Sequence, residues 1–222
     1  MIRPNTLCGT QKMPDFSYED AALASGHGLI CGVDEAGRGP WAGPVVAGAV
    51  ILDRDRLSPA LMAELDDSKK LKAPKREALF RLLSAEAQIG VGQAGVDEID
   101  DLNILGATML AMARAVEALP IRPDLALVDG NREPELPCPA RCVVRGDGIS
   151  LSIAAASIAA KVTRDGIMAG LARDFPGYGW ERNAGYGTRE HQAALERLGV
   201  TPQHRRSYAP IQRLLEPQDI GA

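Results

Sequence analysis

Aromatic side chains are scarce in this chain of 222 residues, at 4% of the total. A core built here is therefore aliphatic, and 45% hydrophobic residues supply enough of it for one domain of substantial core with an appendage. Basic residues are not in excess either. The net charge of -4 does not advertise a nucleic-acid partner, because domains that bind one are often basic. A carboxylate cluster that loads metal would account for part of the negative excess. Long apolar runs are missing: residues 44–52 fall far short of the ~20 needed to cross a bilayer. The N-terminal residues lack the apolar segment of a signal peptide. Cys8, Cys31, Cys138 and Cys142 form no C-x-x-C pair and no zinc spacing with the three His. Reduced, packing thiols are the expectation, as in a cytoplasmic protein.

What the chain does have is a distinctive stretch at 29–52, LICGVDEAGRGPWAGPVVAGAVIL. Two apolar, β-branched runs flank a Gly- and Pro-rich loop, which reads as strand, turn, strand. Pro40 and Pro44 are too close together for a helix. Gly32 to Gly37 has Walker A spacing, but Arg38 and Gly39 stand where Lys and Ser or Thr belong. Gly37, Gly39 and Ala42 match a dinucleotide fingerprint, yet a strand follows where that motif needs a helix. A plain hairpin accounts for the glycines. It does not account for Asp34 and Glu35 side by side at the end of an apolar run, a costly placement unless a cation neutralises them.

The rest alternates between the two periodicities. Residues 1–27 read as a loose arm with a short helix near 18–24. A helix opens at Ala73-Pro74 with the stripe Leu79, Leu82 and Leu83, and a strand follows at 89–96. Asp97 is placed to cap a helix to about residue 119, interrupted near Asn103, with Leu102, Leu105, Met109, Met112, Val116 and Leu119 on one face. Residues 125–128 form a short strand delivering Asp129, and 141–145 another before Gly146-Asp147-Gly148. A long Ala-rich helix spans 149–173, and a C-terminal helical part starts from about 188, capped by Thr188 and closed by Gly199. Residues 28–222 thus read as one α/β domain, a mixed sheet flanked by helices with a C-terminal helical extension. Sites in such sheets lie beyond the carboxyl ends of strands, where Asp34 and Asp129 both stand.

Asp34, Glu35, Asp129 and Asp147 are thus candidates for one site. Taken singly each has an ordinary reading; Asp147 between glycines is most often a turn residue. Together they suit Mg²⁺ or Mn²⁺, since the set is all oxygen. Two such ions ~3.5–4 Å apart can activate water and stabilise a leaving oxygen in phosphodiester cleavage. Neighbours on a regular strand face opposite ways, so Asp34 and Glu35 reach one site only if the strand breaks.

The motifs DEAGRGP (34–40), DSKKL (67–71), VDGN (128–131), GD (146–147), AASIAAKVTRD (155–165) and GYGT (185–188), in that order, closely resemble bacterial ribonuclease HII. The resemblance runs from about residue 29 to 210. One departure, Ala159 or Ala160 where the family often has Leu, bears on packing. The resemblance implies a ribonuclease H-like fold and hydrolysis of RNA in RNA–DNA hybrids and of single ribonucleotides in duplex DNA, leaving 3′-hydroxyl and 5′-phosphate ends. It makes Asp34, Glu35, Asp129 and Asp147 the catalytic acids that hold metal. It places Gly37, Arg38 and Gly39 on the ribonucleotide's 2′-hydroxyl and nearby phosphates, and Tyr186 at the junction that follows.

Basic residues crowd two segments, Lys69 to Arg76 and His204 to Arg206, either of which could hold phosphate. Lys69 is taken as a substrate-binding candidate and the protein as a monomer. Lys161 and Arg164 could reach the site or a partner acid. His191 is expected in local hydrogen bonding, and Trp41 and Trp180 in packing.

Overall fold

The computed structural model describes residues 13–216. Residues 1–12 of the expected arm, with Cys8, and residues 217–222 lie outside the described residues. The hairpin forms as its pattern predicts: β1 (Ile30–Ala36) pairs antiparallel with β2 (Val45–Ile51), from Cys31 opposite Ile51 to Ala36 opposite Val46. β3 (Gln88–Ala94) adds to the far edge of β2. β4 (Leu125–Asp129) and β5 (Ala140–Val143) extend the sheet parallel to β1, in the order β3-β2-β1-β4-β5.

Eight helices are described: α1 (Ser17–Ala24), α2 (Pro59–Glu64), α3 (Ala73–Glu86), α4 (Val96–Glu117), α5 (Leu151–Asp174), α6 (Trp180–Asn183), α7 (Arg189–Leu198) and α8 (Ala209–Leu215). α4 covers one sheet face, burying Ala107, Ala111 and Ala115 against Val45, Ala47 and Ala49. α5 covers the other with α2 and α3 beneath it, joining Ile158 to Leu61, Leu79 and Leu83. The shortage of aromatics is met by close approach. A Cβ on Gly32 would come within 2.1 Å of Ser152 in α5, and one on Gly92 within 2.2 Å of the Ala111 carbonyl in α4. Small residues thus bring helix and sheet backbones together, so many short contacts replace a few large ones.

Several expectations change in detail. Gly95, rather than Asp97, caps α4, and its amide donates to Glu98. The interruption falls at Asn103 (φ 59°, ψ 168°), whose Oδ1 accepts from the amides of Leu105 and Gly106 and starts the helix afresh. This break rotates Leu102 outward, to 44% exposure, away from the buried Met112 and Val116. Leu82 is likewise exposed, while Leu79 and Leu83 are buried. The short α2, α6 and α8 carry too few residues for periodicity to reveal them.

From Met13 onward the segment read as a loose arm is docked. Glu19 of α1 is buried, and its Oε1 accepts from the Ser150 and Ser152 hydroxyls at 2.7 and 2.6 Å. The C-terminal helices pack on the outer half of α5 through Met168, Tyr178, Trp180, Leu195 and Ile211.

Candidate active site

Asp34 stands near the end of β1, and Asp129 is the last residue of its parallel neighbour β4, one step beyond the Val33–Val128 pairing. Adjacent parallel strands therefore carry both acids to the same rim. Asp147 arrives from the 3-10 turn after β5, where Arg145 takes a left-handed conformation (φ 58°) to turn the chain. One carboxylate oxygen from each of Asp34, Asp129 and Asp147 lies within 4.8 Å of the others. Backbone amides fix two of the acids: Glu35 N donates to Asp34 Oδ1 and Gly146 N to Asp129 Oδ1, each at 2.7 Å.

Glu35 does not join that triad. β1 continues unbroken to Ala36, so alternation holds. Asp34 projects to the α5 side, as Gly32 does, and Glu35 to the α4 side with Val33, accepting from Arg38 Nη1 at 3.3 Å. It still borders a cleft of about 280 Å³ that Asp34 and Asp129 also line. Burial raises the carboxyl pKa of Asp34 well above its ordinary value, and Glu35 and Asp129 add to this. Burial likewise raises Glu35, against the pull of Arg38. Asp129 is raised by burial and by Asp147, with the Gly146 amide opposing.

Gly37 (φ 100°), Arg38, Gly39, Lys69 and Tyr186 line the same cleft. The Tyr186 ring is about half exposed and lies against Gly39, where a Cβ would sit 3.3 Å from it. Lys69 Nζ donates to Asp147 Oδ2 at 3.0 Å. Burial works against its charge, but that bond and the charges of Asp147 and Asp34 raise its pKa overall.

Other basic residues in or near the cleft hold partners of their own. Lys70 pairs with Asp66, Lys75 with Glu64, and Arg76 bonds the Leu71 and Ser68 carbonyls. Lys161 pairs with Asp165 within α5. His204 and Arg205 are fully buried, so neither can hold a phosphate, and of that segment only Arg206 is exposed. Arg164 forms no ion pair with a described acid and bonds backbone carbonyls instead.

Sequence reasoning missed a buried pair of histidines. His191 Nδ1 bonds the Tyr186 carbonyl at 3.0 Å, so it carries the proton, and its Nε2 accepts from Trp180 Nε1 at 3.1 Å. His204 Nδ1 accepts from Thr201 N, so its proton is on Nε2 and points at His191 Nε2, 3.1 Å away. With these neutral tautomers Trp180 Nε1 and His204 Nε2 share the single lone pair of His191 Nε2. Burial pushes both pKa values down, His204 to about 4 with His191 contributing. The pair supports the segment carrying Tyr186 through the His191 bond to its carbonyl. Local hydrogen bonding was the expectation for His191, and Trp180 packs as expected.

Residues 31–211 match the family model described as Ribonuclease HII. A ribonuclease HII of Rhodospirillum rubrum is 62% identical over 205 residues, which is 91% of this chain and 92% of that protein. The crystal structure of the ribonuclease H2 from Pyrococcus horikoshii OT3 matches with a TM-score of 0.70 at 27% identity, covering 84% of this chain and 97% of that one. A crystal structure of Bst-RNase HIII in complex with Mn²⁺ shares the fold at TM-score 0.66 and 18% identity, over 90% of this chain and 80% of that one.

The chain belongs to the ribonuclease HII family. It is accordingly a ribonuclease H, a metal-dependent endonuclease acting on RNA–DNA hybrids. The triad fits such a metal on its own terms. Its donors are hard carboxylate oxygens without thiolate or imidazole, which favours Mg²⁺ or Mn²⁺ over zinc. Clustered acids whose pKa values are raised by one another gain most from a cation between them. Among the described residues no helix is long and apolar enough to cross a membrane. Burial raises the pKa of all three described thiols, Cys31, Cys138 and Cys142, in keeping with packing roles.

Proposed function

We propose that this ribonuclease HII cuts both the RNA strand of hybrids and single ribonucleotides embedded in duplex DNA, leaving 3′-hydroxyl and 5′-phosphate ends. The observation that carries this reading is the cleft that Asp34 and Asp129 share with the Gly37–Gly39 loop and Tyr186, with a carboxylate oxygen of Asp147 within 4.8 Å of both acids. Asp34, Asp129 and Asp147 hold the metal, with Glu35 reaching in from the opposite side of β1. Two divalent ions held there, Mg²⁺ or Mn²⁺, would supply Lewis acidity toward the phosphate and would lower the pKa of an attacking water.

The protein's own groups do the recognition. Arg38 forks onto a phosphate, and doing so releases it from Glu35. The bare backbones of Gly37 and Gly39 approach the sugar closely enough to read its 2′-hydroxyl, the group that marks RNA. Tyr186 stacks on the sugar or base that follows. Lys69, paired with Asp147 in this structure, stands at the cleft where its charge would meet a phosphate of the bound strand. The enzyme works as a monomer in the cytoplasm, where its described cysteines, all free, stay reduced.

The decisive experiment offers an end-labelled duplex carrying a lone ribonucleotide, with Mg²⁺ or with EDTA, and maps the cut. The ends are identified as well as the position, and a 2′,3′-cyclic phosphate with a 5′-hydroxyl would refute 3′-hydroxyl and 5′-phosphate ends. Arg38→Ala and Tyr186→Ala should lose more activity on lone ribonucleotides than on continuous hybrids. Equal losses on both substrates count against junction sensing.

A further inference from the structure

Two buried arginines stand behind the Gly37–Gly39 loop, Arg164 of α5 at 1% exposure and Arg205 at 0%. Neither forms an ion pair with a described acid, which is unusual, because buried charges are ordinarily paired. Their donors go to backbone carbonyls, apart from one bond of Arg205 Nη1 to the Tyr208 hydroxyl at 2.9 Å. Arg205 donates from Nη2 to Gly37 O at 2.6 Å and Pro44 O at 3.2 Å, from Nη1 to Arg38 O at 2.9 Å, and from Nε to Gly43 O at 3.0 Å. Arg164 donates from Nε to Pro44 O, from Nη2 to Ala42 O and from Nη1 to Ala184 O, at 3.0, 3.2 and 3.0 Å. A Cβ on Gly37 would fall 2.0 Å from Arg164 Nε, so the guanidinium lies flat against the loop.

These contacts have a directional consequence. Carbonyls drawn inward leave the adjoining amides facing the other way, and the amides of Arg38 and Gly39 bond no described residue. The Ala184 contact ties the segment bearing Tyr186 to the same anchor, and Trp41 N donating to Gly185 O adds a second tie. Two fixed positive charges therefore lie behind a row of outward amides, an arrangement that attracts an anion. Burial, then the neighbouring charge, brings Arg164 down to about 10, so it remains charged at neutral pH.

We infer that Arg164 and Arg205 are positioning residues that turn the Gly37–Gly39 backbone and the Tyr186 segment into one rigid cradle for a phosphate of the ribonucleotide-bearing strand. They touch no substrate and act through the loop. This rests on the reading of that loop and Tyr186 as substrate-facing.

The test uses the full chain carrying Asp129→Asn, expected to bind without cutting. Binding is compared for a duplex with a lone ribonucleotide and for the same duplex in all-DNA form. Arg164→Lys and Arg205→Lys keep a charge but lose the fork. Each should reduce the preference for the ribonucleotide duplex roughly 10- to 100-fold, the range expected when a positioned group is misplaced by an ångström. The salt dependence of binding should weaken by about one phosphate contact. Variants that melt at a lower temperature yet keep preference and salt slope when assayed well below it would show a merely structural role and overturn the inference. A second measurement needs no arginine variant: hydrogen exchange at the Arg38 and Gly39 amides should slow when the ribonucleotide duplex binds. Unchanged exchange with duplex bound overturns it. If the chain with both arginines intact shows no preference, the underlying substrate reading fails instead.

Discussion

Asp34, Asp129 and Asp147 on one side of the Gly37–Gly39 loop, and Arg164 and Arg205 behind it, are both sets of like charges withdrawn from water. The protein treats them differently. The arginines are satisfied by carbonyl dipoles of the chain itself, so their electrostatic problem is closed when folding ends. The acids receive two backbone amides and Lys69, and burial leaves Asp34 and Asp129 with raised pKa values. Completing them requires something from outside. A site for an exchangeable cation has to be left unfinished, whereas a scaffold under a recognition loop has to be complete.

The largest effect that would break this contrast is on cleavage. Asp34→Asn and Asp129→Asn should each lower Mg²⁺-dependent cleavage by about 10³-fold or more, since a lost ligand removes several kcal/mol of transition-state stabilisation. Circular dichroism should show the fold retained. Rates near those of the unaltered protein would remove these residues from the metal site.

Thermal melting sharpens the comparison further. Mg²⁺ should raise the melting temperature of the unaltered protein, because a ligand that binds only the folded state stabilises it, and EDTA should reverse the gain. Asp129→Asn should show little response to Mg²⁺. Metal-free, the same variant should melt above the unaltered protein at pH 7, as it relieves repulsion. The sign follows from the raised carboxyl pKa: ionising the folded acid is penalised, so this contribution destabilises increasingly as pH rises from its unfolded value through the folded one.

The smallest effect belongs to the scaffold and has the opposite slope. His204 titrates near 6.5 when unfolded and about 4 when folded. Its contribution is fully present above pH 6.5 and is lost as pH falls toward 4, amounting to about 3 kcal/mol across that window. His204→Asn retains an acceptor for Thr201 and should flatten the melting temperature between pH 6.5 and 4. An unchanged slope would mean that the buried pair protonates without disturbing the fold.

Glu35 shows where local reading stops. Its position beside Asp34 was plain in the sequence, and so was the rule that an unbroken strand sends the two to opposite faces; only the structure shows the strand unbroken. The strand–turn–strand unit, the acids at strand ends, the Thr188 cap and the break at Asn103 were all legible, because each depends on residues within a few positions. So was the aliphatic character of the core.

The docking of α1 through Glu19, the burial of His204, and the two arginines gripping the loop were not legible. Arg205 reads as a phosphate ligand in a basic run, and Arg164 as a residue that could reach the site or a partner acid. Their bonds join Arg205 to Gly37 and Arg164 to Pro44, 168 and 120 positions apart. Backbone carbonyls leave no mark in the amino-acid alphabet, so nothing in the order of residues announces that a distant guanidinium will find them. Sequence alone determined which acids could meet at the end of the sheet, because strand periodicity and chain direction place them there. Which buried charges were to be finished internally, and which left for a cation, was decided by tertiary packing, since only folding brings the compensating dipoles within reach.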